Sequence, residues 1–162
     1  MPSTYTPIAT QTLGSATATV TFSSISGAYT DLILVINATT TSGADGLLRV
    51  NGDTGNNYSQ TILLGTGSSA GSVRYSNRDS LYLDYYGLTA GTINMNAVVQ
   101  YMNYSNTTTY KTILTRENNA AISTEAHVSL WRSTSAITSI SILTGSTWVA
   151  GSTFTLYGVK SA

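Results

Sequence analysis

Ala16-Thr17-Ala18-Thr19-Val20-Thr21-Phe22 alternates without a break, with Ala16, Ala18, Val20 and Phe22 on one side and three threonines on the other. A period of two sends successive side chains to opposite faces of an extended chain, so this stretch reads as a half-buried β-strand. The pattern recurs from end to end, and no stretch of ten residues or more carries the 3.6-residue period of an amphipathic helix. The sequence predicts an all-β protein.

Tyr5 to Leu13 is extended but interrupted by Pro7, which has no N–H to give a ladder. Residues 1–13 therefore read as an edge strand or as an arm reaching over a neighbour, with residues 14–162 as the main domain. Asp31 to Ala38 is apolar on both faces at its centre, which predicts a central strand covered on both sides. Asp45-Gly46 and Asn51-Gly52 are turn dipeptides on either side of Leu47 to Asn51. Asn51 to Asn57 reads as a loop, Tyr58 to Leu64 as a strand and Gly65 to Ser72 as a second, Gly/Ser-rich loop. In Ser80 to Tyr86, Leu81, Leu83 and Tyr85 share one face, and Tyr82, Asp84 and Tyr86 the other. Gly87 to Gly91 turns the chain. Ala97–Asn103, Tyr110–Glu117, Ala126–Arg132, Ile137–Thr144 and Phe154–Lys160 complete the strands. About ten strands with no fixed repeat predict a single-domain antiparallel β-sandwich of jelly-roll type, carrying an extended N-terminal arm.

Of the 162 residues only 9% are charged, and seven basic residues cancel seven acidic ones. A phosphate-backbone binder needs a basic patch, but Lys111, Lys160 and five arginines are scattered, so no nucleic-acid partner is expected. No membrane partner is expected either, because no apolar run approaches the ~20 residues of a membrane helix. The start Met1-Pro2-Ser3-Thr4-Tyr5 lacks the basic and apolar regions of a signal peptide. There is no cysteine, hence no disulfide, thiolate nucleophile or Cys-based metal site. Hydrophobic residues at 41% and eleven tyrosines are enough for a packed core.

Catalytic patterns are weak. No Gly-x-Ser-x-Gly elbow occurs, and the single histidine, His127, lies in Ala126-His127-Val128-Ser129-Leu130-Trp131-Arg132. It shares a face with Ser129 and Trp131 and alternates with Val128 and Leu130, which reads as a strand-surface or interface histidine. It has no second ligand at metal spacing. Asp31, Asp45, Asp53, Asp79, Asp84, Glu117 and Glu125 supply carboxylates, but spacing singles out no pair. Asp79 and Asp84 flank a strand at opposite parity, so they cannot sit together on one face of it. Asp53 is the best calcium candidate, yet its loop lacks the Asp-x-Asp/Asn-x-Asp/Asn-Gly pattern and reads as a plain turn. No catalytic residue, cofactor or metal is expected. Tyrosine clusters at Tyr82, Tyr85 and Tyr86, and at Tyr101, Tyr104 and Tyr110, read as packing or interface residues, with stacking on sugar rings as the alternative.

Val128 to Ile140, Ala150 to Lys160, Tyr29 to Val35 and Val50 to Ser59 together resemble small virion structural proteins of tailed bacteriophages. The resemblance implies a β-sandwich or jelly roll on the capsid surface, as a decoration (cement) protein, or a piece of tail or fibre. The partners it implies are the major capsid protein and copies of the chain itself, a trimer suiting local three-fold positions. Tyr5, Pro7 and Ile8 of the clamping segment Pro2 to Leu13, together with Tyr82, Tyr86, Arg78 and Arg132, are the interface residues expected. Arg49 and Arg74 are expected at contacts too. The alternative is a tail-associated module that recognises host glycans through Tyr82, Tyr86, Tyr101 or Tyr104.

Overall fold

The computed structural model describes residues 4–88 and 93–160. Its strands are β1 (Tyr5–Thr12), β2 (Thr17–Phe22), β3 (Asp31–Ala38), β4 (Ala44–Val50), β5 (Tyr58–Gly65), β6 (Ala70–Arg78), β7 (Leu81–Leu88), β8 (Met95–Tyr101), β9 (Lys111–Asn119), β10 (Ser123–Trp131), β11 (Ile140–Trp148) and β12 (Thr153–Val159). They form an eight-stranded sheet in the order β1-β12-β3-β8-β9-β10-β5-β6 and a four-stranded sheet in the order β2-β11-β4-β7. Every pairing is antiparallel. The chain is an all-β sandwich.

One side of the interior is the apolar core that the alternating strands foretold. Leu32, Leu34 and Ile36 of β3 meet Val20 and Phe22 of β2, Ile140 and Ile142 of β11, and Phe154 and Leu156 of β12. Trp148 stands edge-on to Phe154 at 5.6 Å between ring centroids. Gly158 lets the buried face of β12 accept the Tyr29 ring, because a Cβ there would fall inside that ring.

Four readings of the sequence change. There are twelve described strands, and the extra one is β6, whose start at Ala70 lies in the expected Gly/Ser loop. It is a sheet edge exposed over most of its length, so burial imposes little apolar alternation on it. Asp45-Gly46 is not a turn but part of β4, where Gly46 lets the Trp148 ring and Leu83 approach the backbone. β3 is central, as expected, yet it is covered on one side only, with Val35 exposed on the other. Finally, the clean alternation expected of β7 breaks. Leu47 pairs with Tyr82 and Gly46 with Asp84, so Leu83 is an extra residue, and both Leu83 and Asp84 turn inward.

Tyr5–Thr12 forms an edge strand paired with β12 of the same chain, with a bulge between Pro7 and Ala9. Residues 1–3 of the expected arm and residues 89–91 of the expected Gly87–Gly91 turn lie outside the described residues.

Candidate functional site

The outer face of the large sheet is built from cross-strand rows. One row runs Val35, Val98, Arg116, Ala126, Leu63, and the next runs Ile33, Gln100, Leu114, Val128, Thr61, each residue directly opposite its neighbour. Arg116 is the single charge in the two rows. Leu63 and Val128 are 60% and 59% exposed. Tyr5 on β1 and Leu63 on β5 line the same trough of about 580 Å³, so this face is concave. An asparagine ladder borders it: Asn94 Nδ2 donates to Asn37 Oδ1 and Asn37 Nδ2 to Asn96 Oδ1, both at 2.6 Å.

Behind the apolar rows lies a polar wall. On β10 the inward residues are Ser123, Glu125, His127, Ser129 and Trp131, and on β9 they are Lys111, Ile113, Thr115, Glu117 and Asn119. Thus His127 is not on the surface; it is buried at 2% exposure. The alternation was read correctly, but polar does not mean outward here. Gln60 of β5 locks the arrangement. Its Oε1 accepts from the Tyr82 N–H at 3.0 Å and its Nε2 donates to the Tyr82 carbonyl at 2.7 Å, which fixes the amide's orientation. The same Nε2 lies 2.9 Å from His127 Nδ1, which is also 3.2 Å from the Tyr82 carbonyl, and His127 Nε2 donates to Glu125 Oε2 at 2.8 Å. Glu125 also accepts from the Tyr85 and Tyr86 backbone N–H groups, each at 3.0 Å. These bonds tie β10 of one sheet to β7 of the other.

Glu117 stands directly opposite Glu125 on the neighbouring strand, and Asp84 faces both from β7. One carboxylate oxygen from each of the three lies within 4.8 Å of the other two. Glu117 is 1% exposed, and among the described residues neither of its oxygens has a hydrogen-bond partner. Burial, and then the charges of Asp84 and Glu125, push its carboxyl up to about 9. Three buried acids on two strands and the facing sheet are the grouping that spacing along the chain did not single out. Glu117 and Glu125 lie at equal distance on either side of Ala121, the pairing a tight hairpin imposes. Asp84 joins them only through the extra residue in β7, which left no mark in the sequence.

The other expected residues fall in separate places. Pro7 is exposed on β1, and Ile8 is partly buried against the core. Tyr82 is half-buried in a cluster with Tyr75 and Tyr85, at centroid separations of 5.3 to 5.7 Å, and the Arg78 guanidinium stacks 4.3 Å from the Tyr82 ring centroid. Tyr86 is exposed. Tyr101 and Tyr104 are fully buried, which removes them as sugar-stacking platforms. Arg132 is tied to the Asn56 carbonyl and to Asn77 Oδ1, and Arg49 to Asp79 at 3.1 Å. Asp53 anchors its own turn: its carboxylate accepts from the Gly55 N–H at 2.8 Å, Asn57 Nδ2 at 2.9 Å and the Trp131 indole N–H at 2.7 Å.

Comparison with known proteins found no matching family model, curated protein or solved structure.

Proposed function

We propose that the protein is a non-enzymatic structural component of a virion, a capsid decoration protein that docks on shell subunits and on copies of itself through the outer face of its eight-stranded sheet. The observation that carries this reading is the inversion of polarity across β5, β9 and β10. Leu63, Leu114, Ala126 and Val128 face outward while Gln60, Glu117, Glu125 and His127 face the interior. In an isolated chain the favourable arrangement is the reverse. Burying a side chain such as Val128 or Leu63 against a partner contributes about 1 to 2 kcal/mol each, and the central rows, with Arg116 inside them and Arg74 beyond Thr61 on β6, have little charge to desolvate. Contiguous exposed apolar surface is a mark of protein–protein contact.

Topology supports the finer, jelly-roll reading. β2-β11-β4-β7 faces β3, then β8-β9-β10, then β5 and β6, and the connections β2→β3, β3→β4, β4→β5, β6→β7, β7→β8 and β10→β11 all cross between sheets. We read this order as that of an eight-stranded jelly roll with β9 and β10 added beside β8 and with β1 and β12 extending one edge. The glycan-binding alternative keeps only Tyr82 and Tyr86 of its four tyrosines.

Quantitative gel analysis of purified particles tests the assignment. A decoration protein is present in a copy number comparable with that of the shell subunit. Absence from the particle, or a copy number matching a single tail, contradicts it.

A further inference from the structure

The three buried acids have a consequence that the docking surface does not touch. Like charges directly opposite on paired strands repel, and Glu117 and Glu125 occupy such a pair in the interior, where water does not screen them. Among the described residues neither has a lysine or arginine partner. Glu125 is compensated by three hydrogen bonds. Glu117 has none, although its side chain is almost wholly removed from water and aimed at the other two carboxylates. An unpartnered buried carboxylate costs several kcal/mol unless a proton neutralises it or a cation occupies the position it faces.

We infer that Asp84, Glu117 and Glu125 bind one calcium ion between the two sheets. Distance supports it: oxygens on opposite sides of a calcium ion stand about 4.6 to 5.2 Å apart, and the three donor atoms lie within 4.8 Å of one another. The donor set selects the metal. All three ligands are hard carboxylate oxygens, Glu117 can bind through both of its own, and both ring nitrogens of His127 are already engaged, with Gln60 and Glu125. Zinc favours nitrogen or sulfur donors, and magnesium demands a near-ideal octahedron with short bonds, whereas calcium accepts an irregular set of about six to eight oxygens, of which these carboxylates supply part. His127 and the Tyr85 and Tyr86 N–H groups act as positioning groups that hold the Glu125 carboxylate in place. The ion then pins β7 of the small sheet to β9 and β10 of the large one.

The test uses the full chain refolded from denaturant, once in calcium chloride and once in EDTA. Elemental analysis after gel filtration is expected to find one calcium per chain in the first preparation. The melting temperature is expected to stand about 5 to 10 °C above that of the second when free calcium exceeds Kd on the order of a hundredfold. Glu117→Gln keeps the side chain's shape without its charge, and should abolish both the bound calcium and the difference in melting. A wild-type chain that holds no calcium and melts identically in both solutions overturns the inference, because Glu117 is then neutralised by a proton. Zinc in place of calcium, or calcium retained by Glu117→Gln, overturns it too. Elemental analysis of the unmodified chain decides the matter whether or not the variant folds.

Discussion

Asp53 shows how a loop acid can be structural. Burial raises its carboxyl, but hydrogen bonds from Trp131, Asn57 and Gly55, with the Arg49 charge beside them, outweigh that and hold it below the ordinary carboxylate value of 3.8. A carboxyl depressed on folding stabilises the native state above its unfolded value, and that stabilisation is lost as pH falls through the folded value. The loss therefore begins near pH 4 and continues below it. Asp53→Asn is expected to cost about 1 to 2 kcal/mol at neutral pH, and to lose less stability than the wild type on acidification below pH 4. Melting curves against pH, followed by the fluorescence of Trp131 on the same carboxylate, read both effects. The pattern Asn51-Gly52-Asp53 announced a turn, and the turn formed, with Asn51 and Gly52 at φ of 52° and 64°. Its indole partner, seventy-eight residues away, could not be seen in the sequence.

At the scale of elements, the strands were legible because period-two alternation depends on the pleat alone. Their orientation was not always legible. In β2 the apolar residues Val20 and Phe22 face the core, as the simplest reading has it. In β10 the apolar side, Ala126 and Val128, faces out, since the Glu125–His127–Gln60 network can satisfy its hydrogen bonds against the β7 backbone only from inside. Alternation gives the parity of a strand and leaves its sign to the partner sheet. Edge strand β6 and the added residue in β7 escaped for a related reason: neither a solvated edge nor a bulge obliges a residue type. Neighbouring residues of β5 measure the orientation directly. Ile62, fully buried, should cost about 2 to 5 kcal/mol when replaced by alanine. Leu63→Ser, one residue on, should change the stability of the isolated chain by no more than about 0.5 kcal/mol. Chemical denaturation of the two variants, at a concentration low enough to keep the chain monomeric, checks this, and similar losses in both would mean that the outer face is already covered within one chain.

On the scale of the whole molecule, the low charge and the two unlike faces of the large sheet form one design. A trough bordered by asparagines and centred on Val128 and Leu114 presents apolar area with one arginine in its central rows, while the polar interior behind it is tied to the small sheet. Such a surface is suited to repeated contacts between many copies, because few charges lose water when it is covered. The most direct measurement of this account is sedimentation velocity of the wild type beside Val128→Lys, which places a charge at the centre of the trough on a side chain already exposed. The wild type is expected to sediment as a closed oligomer and Val128→Lys as a folded monomer. A wild type that remains monomeric at high concentration, or a variant that assembles as the wild type does, would contradict it.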